Sequence, residues 1–274
     1  MVDIDPRAVV SPLAVIGNNV KIGPFSVIED NVVIGDDTII DVGVKIARYT
    51  TIGKRCRIYL GALIGEEPQD HRCIVGIKSP TIIGDDVVIR EYVTIHRSPF
   101  EGAVTSVDNG TLLMAFVHLG HDCRIGKNVT IANQSAISGH VVIEDGAVIS
   151  GYVLVHQFCR IGALAMLGGR TLVPQDVAPY SMLSENNFIC GPNVVGLRRA
   201  GIDSEGRSAL RRAIKLFFFR GLNTSNACEE ILKGVVTPEV QHFVDFAKGT
   251  KRGMMSGDPK LVLLGCADDE RDVD

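Results

Sequence analysis

Aliphatic residues recur every six positions along most of the chain. The series covers residues 4–64, 83–95 and 107–173, which makes about 26 hexads in all. A helix of 3.6 residues per turn cannot keep this period on one face, and a flat strand alternates every second residue. A period of six is typical of hexapeptide repeats, in which short strands wind around a prism. The sequence therefore predicts a mainly β protein with a parallel β-helix over residues 1–180.

Each hexad has a second inward position, four residues after the aliphatic one, that holds a small or β-branched residue. Cys56, Cys123 and Cys159 occupy this position, so we interpret them as small core residues. Three hexads make one coil, and successive coils stack about 4.8 Å apart. The repeat therefore predicts eight or nine coils.

Two segments interrupt the period. Residues 66–81 are polar and out of phase, and residues 96–106 lack an inward aliphatic residue at the expected place. Long loops that leave a rigid scaffold are candidate functional elements. We expect two loops here that project from the prism.

The period ends after about Val177, and helical spacing of apolar residues begins. Residues 204–220 form the clearest case, with Asp203 and Ser204 as candidate N-caps. A short helix is predicted over 225–233, and Thr237 with the following proline opens another. We expect a small α-helical domain over residues 181–252, followed by a frayed, acidic tail over 253–274.

Composition narrows the function classes. Hydrophobic residues make up 46% of the chain and charged residues 22%, which excludes a disordered protein. The net charge of −4 disfavours a nucleic-acid binder. No apolar run approaches the roughly 18 residues that a membrane helix needs, so no transmembrane segment is predicted. The N-terminus does not resemble a signal peptide, and cysteines are few, which together predict a cytoplasmic protein.

Four of the seven histidines, His118, His121, His140 and His156, fall at outward positions of nearby hexads. With one coil every three hexads, His121 projects next to His140, and His140 projects close to His156. We therefore expect the four on neighbouring coils, near one edge of the prism. The outside of a prism is convex, whereas a small-molecule site needs a concave surface. A second subunit packed against this edge would supply it, so we expect a homotrimer.

Two kinds of chemistry fit such a histidine cluster. A neutral imidazole can take a proton from a hydroxyl group, which would make one histidine a general base. Alternatively, three histidines across a subunit interface could hold zinc, as in some β-helix enzymes. Asp122 directly follows His121, but adjacent residues in extended chain tend to point apart, so the sequence alone does not pair them.

The strings IGEEPQDHR, IREYVTIHR, HLGHDCRIG, AISGHV, VHQFCRIG and NVVGLRRAG resemble one enzyme family. This is the acyl-[acyl-carrier-protein]–UDP-N-acetylglucosamine O-acyltransferase family, whose members catalyse the first step of lipid A biosynthesis. The resemblance covers residues 1 to about 253. It implies a left-handed parallel β-helix and a homotrimer with active sites between subunits. It also implies a 3-hydroxyacyl thioester on acyl carrier protein as co-substrate, with no separate cofactor and no metal.

The resemblance assigns the reaction to three residues. His121 is implied to be the general base that deprotonates the sugar 3-hydroxyl, and Asp122 to orient or polarise it. The backbone N–H of Gly139 is implied to stabilise the oxyanion, and a glycine allows the close approach that this role needs. Further positions are implied to line the sugar and acyl sites (His118, His140, His156), to lie near the nucleotide (Gln157), to contact the glucosamine (Asp70), to supply a cation (Arg72) and to contact nucleotide and phosphate (Asn193, Arg199). Gly169 stands at the position that limits acyl-chain length in the family, and because it lacks a side chain it is expected to leave the acyl groove open.

The chain also departs from the family pattern. Arg72 stands where members often have lysine, which keeps the charge, whereas Val195 replaces a glutamate that touches the nucleotide. Residues 198–220 carry seven basic and two acidic residues, a net charge of +5 in a chain of −4. Because acyl carrier proteins are acidic, this segment is a candidate docking surface.

Three rival functions remain from the residues alone. The N-acyltransferase of the same pathway shares the hexads and the histidine base, but this chain begins its hexads at residue 4 without a preceding uridine-binding domain. A zinc-dependent β-helix hydratase and a purely structural or ice-binding β-helix are the others. The acyl-chain length and the choice between a 3-hydroxyl and a 3-amino acceptor stay open.

Overall fold

Short strands recur about every six residues along the chain and stack into a solenoid. The structure is a computed structural model that describes residues 2–71 and 76–260. The strands are, in order, Asp3–Ile4 (β1), Val9–Val10 (β2), Val15–Ile16 (β3), Lys21–Ile22 (β4), Val27–Ile28 (β5), Val33–Ile34 (β6), Ile39–Ile40 (β7), Lys45–Ile46 (β8), Thr50–Ile52 (β9), Arg57–Ile58 (β10), Leu63–Glu66 (β11), Thr81–Ile83 (β12), Val88–Ile89 (β13), Thr94–His96 (β14), Thr105–Val107 (β15), Leu112–Leu113 (β16), His118–Leu119 (β17), Arg124–Ile125 (β18), Thr130–Ile131 (β19), Ala136–Ile137 (β20), Val142–Ile143 (β21), Val148–Ile149 (β22), Leu154–Val155 (β23), Arg160–Ile161 (β24), Met166–Leu167 (β25), Leu172–Val173 (β26), Ser181–Leu183 (β27) and Ile189–Pro192 (β28).

The strands form three parallel sheets, which we call the first, second and third. The first contains β1 and every third strand to β25, then β27 and β28; the second runs from β2 to β26 and the third from β3 to β24. Strand neighbours within a sheet are one coil apart, as where Thr130 pairs with Val148, three hexads later. The predicted parallel β-helix of hexapeptide repeats is confirmed, and the second sheet has nine strands. Among the described strands only β28 reverses, lying antiparallel to β27.

The core follows the hexad arithmetic. The aliphatic residue of each hexad points inward, and those from Ile22 onward are almost fully buried. Burying one such side chain contributes roughly 1.5–3 kcal/mol. Cys56, Cys123 and Cys159 have no exposed surface, as predicted for small core residues. Burial raises the pKa of the Cys123 thiol to about 12, which keeps it protonated and unreactive.

The turns between the second and third sheets contain most of the candidate site residues. Both long loops leave here, because residues 67–80 connect β11 to β12 and residues 97–104 connect β14 to β15. We call the three later turns, residues 120–123, 138–141 and 156–159, the histidine corner. Asp122, His140 and Phe158 occupy the same position of successive turns, with φ of 61°, 60° and 66°. Identical turns one coil apart place their side chains above one another.

Four helices follow these strands within the described residues. They are Val194–Arg199 (α1), Ser204–Phe219 (α2), Thr224–Ile231 (α3) and Pro238–Lys248 (α4). Asp203 caps α2 by accepting from the Gly206 N–H at 2.8 Å, and Thr237 caps α4, as their sequences predict. A second apolar cluster joins α2 to α4 and contains Leu210, Ile214, Phe243 and Val244. Helix α1 had no sequence prediction.

Two predicted boundaries shift. The first sheet continues past residue 180 through β27 and β28, so the solenoid does not end there. The expectation of a frayed tail from residue 253 is wrong for its first residues, because Met254 and Gly257 bridge to Asp176 and Ile189. Met255 is only 5% exposed and packs in the solenoid core. Residues 261–274 lie outside the described residues. Within the described part of the chain, no helix has both the length and the apolar character needed to span a bilayer.

Candidate active site

His121 and Asp122 form a hydrogen-bonded pair in the histidine corner. Nδ1 of His121 lies 2.7 Å from Oδ2 of Asp122, although the two residues are adjacent in the chain. The left-handed conformation of Asp122, with φ of 61°, turns its carboxylate back toward the imidazole. A carboxylate only accepts hydrogen bonds, so Nδ1 of a neutral His121 carries the proton and Nε2 is left as the basic nitrogen.

His140 lies against this pair from the next coil. Its ring meets that of His121 edge-on, with centroids 5.0 Å apart and planes at 88°. Nε2 of His140 is 3.6 Å from Oδ2 of Asp122, so the carboxylate serves both imidazoles. One coil further, the Phe158 ring stacks on His140 at 4.6 Å. The structure thus brings His121 and His140 together, as predicted from the coil projection, and places Asp122 between them, which the sequence did not predict.

Phe158, and not His156, continues the stack. His156 and Gln157 are exposed at the start of the last turn of the histidine corner, and Nδ1 of His156 lies 3.2 Å from the Gln157 carbonyl oxygen. Sequence reasoning missed Phe158, although it stands one full coil after His140 and the projection landed on it. His156 and Gln157 lie on the same edge of the prism as His121, one to two coils away.

The loop over residues 97–104 covers the pair from the other side. His121 is only 8% exposed, although it projects from the outside of the prism, where we expected an open surface. Thr105, where this loop rejoins the sheet, accepts a hydrogen bond from the Asp122 N–H at 2.8 Å. The Phe100 ring lies 6.4 Å from that of His140. The loops therefore supply part of the concavity that we assigned wholly to a second subunit.

His118 and His96 form a second imidazole pair beside the first. Their ring centroids are 5.2 Å apart, and Nδ1 of His118 lies 2.9 Å from the Thr94 hydroxyl. Burial, and next the charge of His96, lowers the pKa of His118 to about 4, so this residue is neutral at pH 7. His96 is buried, and its Nδ1 contacts the Glu67 carbonyl at 2.6 Å. Sequence reasoning did not single out His96, because the inserted loop breaks the coil projection that would place it.

Gly139 lies directly against the His121 ring. A Cβ added there would come within 2.7 Å of Nε2 and 2.8 Å of Cε1 of His121. No side chain fits at this position without moving the imidazole. Glycine is thus required by the position of His121 itself, in addition to any role of its N–H group.

Three further predicted residues are Asp70, Arg72 and Gly169. Asp70 is half-buried in the loop over 67–80, whereas Arg72 lies outside the described residues. Gly169 lies in a turn between the first and second sheets, and a Cβ there would meet no atom closer than 3.5 Å. That Gly169 leaves the acyl groove open stays a prediction.

Asn193 is engaged within the chain. Its Oδ1 accepts from the Gly196 N–H at 3.0 Å and its Nδ2 donates to the Leu164 carbonyl at 2.8 Å, so it caps α1 and ties it to the solenoid. Arg199 and Val195 are exposed on that helix, and Val195 is 58% exposed. Sequence reasoning missed that Asn193 is the N-cap of α1, a helix of only about one and a half turns.

The arrangement offers two kinds of chemistry. A buried carboxylate that fixes an imidazole with one basic nitrogen can accept a proton from a bound hydroxyl. Ligand atoms of His121, Asp122 and His140 also lie within 4.8 Å of one another, close enough to surround a metal ion. Geometry alone does not choose between these two uses.

Comparison with known proteins decides the family. Residues 176–255 match the second domain of UDP N-acetylglucosamine O-acyltransferase, and residues 13–48 and 105–139 match the bacterial transferase hexapeptide repeat. The acyl-[acyl-carrier-protein]–UDP-N-acetylglucosamine O-acyltransferase of Halorhodospira halophila is 44% identical over 258 residues, which cover 93% of this chain and 100% of that one. The chain belongs to this O-acyltransferase family.

Solved structures of UDP-N-acetylglucosamine acyltransferases agree with this assignment. The enzyme of Francisella novicida is 38% identical, has a TM-score of 0.90 and covers 98% of this chain and 99% of its own. The enzyme of Bacteroides fragilis is 37% identical and has a TM-score of 0.88. The match covers 92% of this chain and 99% of the Bacteroides chain. As an O-acyltransferase family member, the chain is an acyltransferase. The rival hydratase, N-acyltransferase and structural functions have no support from these relatives.

Proposed function

We propose that the chain transfers a 3-hydroxyacyl group from acyl carrier protein to the glucosamine 3-hydroxyl of UDP-N-acetylglucosamine, the first step of lipid A biosynthesis. The observation that carries this proposal is the 2.7 Å contact between Nδ1 of His121 and Asp122, inside a family of O-acyltransferases. It leaves Nε2 of His121, which lies beside Gly139, as the proton acceptor. An acyl transfer to a hydroxyl requires such an acceptor.

The reaction then follows from the positions of the groups. Nε2 of His121 takes the proton of the sugar 3-hydroxyl as its oxygen attacks the thioester carbonyl carbon. Asp122 holds the imidazole and stabilises the imidazolium that forms. The Gly139 N–H donates to the oxyanion of the tetrahedral intermediate. When the C–S bond breaks, the proton on His121 passes to the pantetheine sulfur, which leaves as a thiol and returns His121 to its neutral form.

The other site residues are assigned to binding. His140, His118 and His156 line the sugar and acyl positions along the histidine corner, with Gln157 toward the nucleotide. His118 acts as a neutral donor or acceptor, because its pKa lies near 4. Asp70 is assigned to the glucosamine contact and Arg72 to the cation, and Gly169, which lacks a side chain, leaves the acyl groove open.

Asn193 is assigned a positioning role. Since both polar atoms of its side chain are bonded within the chain, it holds α1 in place and thereby presents Arg199 to the phosphates. This revises the expectation of a direct nucleotide contact by the Asn193 side chain. Val195, two residues further, offers no hydrogen bond to the nucleotide.

The assembly that we propose is a homotrimer of left-handed β-helices. The histidine corner is closed by loops on one side and open along the later coils, where His156 and Phe158 are exposed. A neighbouring copy across this edge would complete the cleft. We place the enzyme in the cytoplasm, and the free buried thiols of Cys56, Cys123 and Cys159 fit a reducing compartment.

The test combines a product assay with a variant. The purified protein is incubated with UDP-N-acetylglucosamine and a panel of 3-hydroxyacyl carrier proteins, and the products are identified by mass spectrometry. In His121→Ala, kcat should fall by about 10²–10⁴, the usual contribution of a positioned base, with little change in UDP-sugar binding. His242→Gln, which changes a histidine on α4 outside the site, is the matched control and should keep its kcat.

Two results would contradict the assignment. Near-normal turnover by His121→Ala would refute the assignment of His121 as general base. If no carrier protein gave an acylated UDP-sugar, the proposed reaction would be refuted. Metal analysis distinguishes the zinc hypothesis from the general-base hypothesis. Stoichiometric zinc that is lost with His121→Ala, together with inactivation by chelators, would favour a metal at the His121, Asp122 and His140 cluster.

A further inference from the structure

A basic groove lies on the helices, away from the histidine corner. It encloses about 280 Å³ between α1 and the first half of α2, and Arg198, Arg207 and Arg211 line it. The Arg207 guanidinium is fixed by donating to the Ile202 carbonyl at 2.6 Å. Arg211 is exposed one helical turn further along α2. The groove is thus a concave surface with several guanidinium groups, which suits carboxylate ligands.

The groove lies in the most basic stretch of the chain. The net charge of +5 over residues 198–220 already counts the two acidic residues, Asp203 and Glu205, and Asp203 caps α2 by accepting from the Gly206 N–H. An acidic partner is therefore the ligand that this surface favours.

The chain itself carries a segment of matching charge. Residues 261–274 contain five carboxylates, all in 268–274, and one arginine, which gives a net charge of −4. The described part of the chain ends at Lys260, just after the Asp258 N–H donates to the Ile189 carbonyl at 3.0 Å. Ile189 begins β28, and the last residue of that strand, Pro192, lines the groove.

The distances permit the acidic segment to reach the groove. Gly257 packs against Phe218 of α2, and Arg211 precedes Phe218 by seven residues, about 10 Å along the helix axis. Eight residues separate Lys260 from Asp268, and an extended chain of that length spans up to about 27 Å. The first carboxylates of the segment can therefore reach Arg211 and Arg207.

We propose that residues 268–274 bind this groove within the same chain and compete there with the acyl carrier protein. The competition rests on the proposed function, whereas the intramolecular contact does not. Linkage within one chain by a short connection gives an effective concentration on the order of millimolar. If the untethered acidic segment bound with a Kd of about 1 mM, the groove would be half occupied and the KM for carrier protein would be about doubled.

The contact is tested by arginine labelling of the full-length chain. The variant carries Asp268→Asn, Asp269→Asn, Glu270→Gln and Asp272→Asn, and phenylglyoxal modification of single arginines is followed by peptide mass mapping. Arg211 should react at least about twofold faster in the variant than in the wild type at low salt. The difference should vanish at about 0.5 M salt, where charge attraction is screened. Arg57, on the first sheet, is the control and should react equally in both.

Equal labelling of Arg211 in both proteins at low salt would overturn the proposal, whatever the transfer assay gives. The competition is tested by kinetics. The variant should show about half the wild-type KM for 3-hydroxyacyl carrier protein at unchanged kcat, and no change with an acyl-pantetheine that lacks the acidic protein. In an Arg211→Gln background, the tail substitutions should have no further effect. An unchanged KM despite altered labelling would show that the segment binds without competing.

Discussion

Replacing Gly139 by alanine is the most direct probe of the site, because it moves His121, the proposed base, without removing any functional group. The new Cβ would lie 2.7 Å from Nε2 of His121, whereas non-bonded atoms prefer about 3.5 Å or more. The imidazole must therefore move by about 0.8 Å. It cannot do so freely, since its Nδ1 is held by Asp122 at 2.7 Å.

The expected loss follows from this displacement. A misplacement of about 1 Å can reduce a catalysed rate roughly 10²-fold, so kcat of Gly139→Ala should fall by about that factor. Alanine keeps the backbone N–H, so the loss reports on the position of His121 and not on the oxyanion donor. Crowding of this kind costs about 1–3 kcal/mol of stability, which should lower the Tm by only several degrees.

The assay is steady-state turnover of UDP-N-acetylglucosamine, with thermal melting run on the same samples. Gly234→Ala is the matched control, because a Cβ there would meet its nearest atom, the Ile231 carbonyl oxygen, at an ordinary 3.6 Å. The control should keep wild-type kcat. If Gly139→Ala also turned over within threefold of wild type while remaining folded, the imidazole beside it would not be the catalytic base.

Other predictions follow from the same structure. Val195→Glu should be tolerated on the exposed face of α1 and should change nucleotide affinity more than kcat; a collapse of kcat at constant KM would contradict the placement of this segment. Light scattering should give a trimer, and a fully active monomer would refute it. The hydrogen bond with Glu144 raises the pKa of His242 above its ordinary 6.5. The resulting stabilisation is therefore present below pH 6.5 and is lost as the pH rises through the raised pKa. His242→Gln should flatten this part of the Tm–pH curve, and an unchanged curve would exclude the ion pair as its cause.

The regular part of the molecule could be derived from the sequence because a solenoid converts sequence separation into spatial position. A shift of three hexads is one coil, so the contact of His121 with His140 was predictable, and so was Phe158 beyond it. The inward cysteines followed from the same rule. The caps of α2 and α4 were predictable because an N-cap depends on only a few neighbouring residues.

The rest could not be derived because it depends on insertions and on single side-chain conformations. The loop over 97–104 sets His96 and His118 further apart in the chain than one regular coil, so no fixed period relates them. The pairing of His121 with Asp122 depends on a left-handed backbone at a non-glycine residue, which sequence patterns do not reveal. Helix α1 is too short for a periodic signal, so the capping role of Asn193 emerged only from its contacts.

The reversal at β28 has a consequence for association between molecules. A stack of equivalent parallel coils has no intrinsic end, since its last coil offers the same template for pairing as every coil before it. The antiparallel β28 occupies the terminal edge of the first sheet, and α2 packs against β28. At the opposite edge the first coils expose Val9 and Val15, and charged Asp5 and Arg7 stand among them. Such charges disfavour strand-to-strand growth at this edge, and β28 removes the parallel template at the other end of the first sheet.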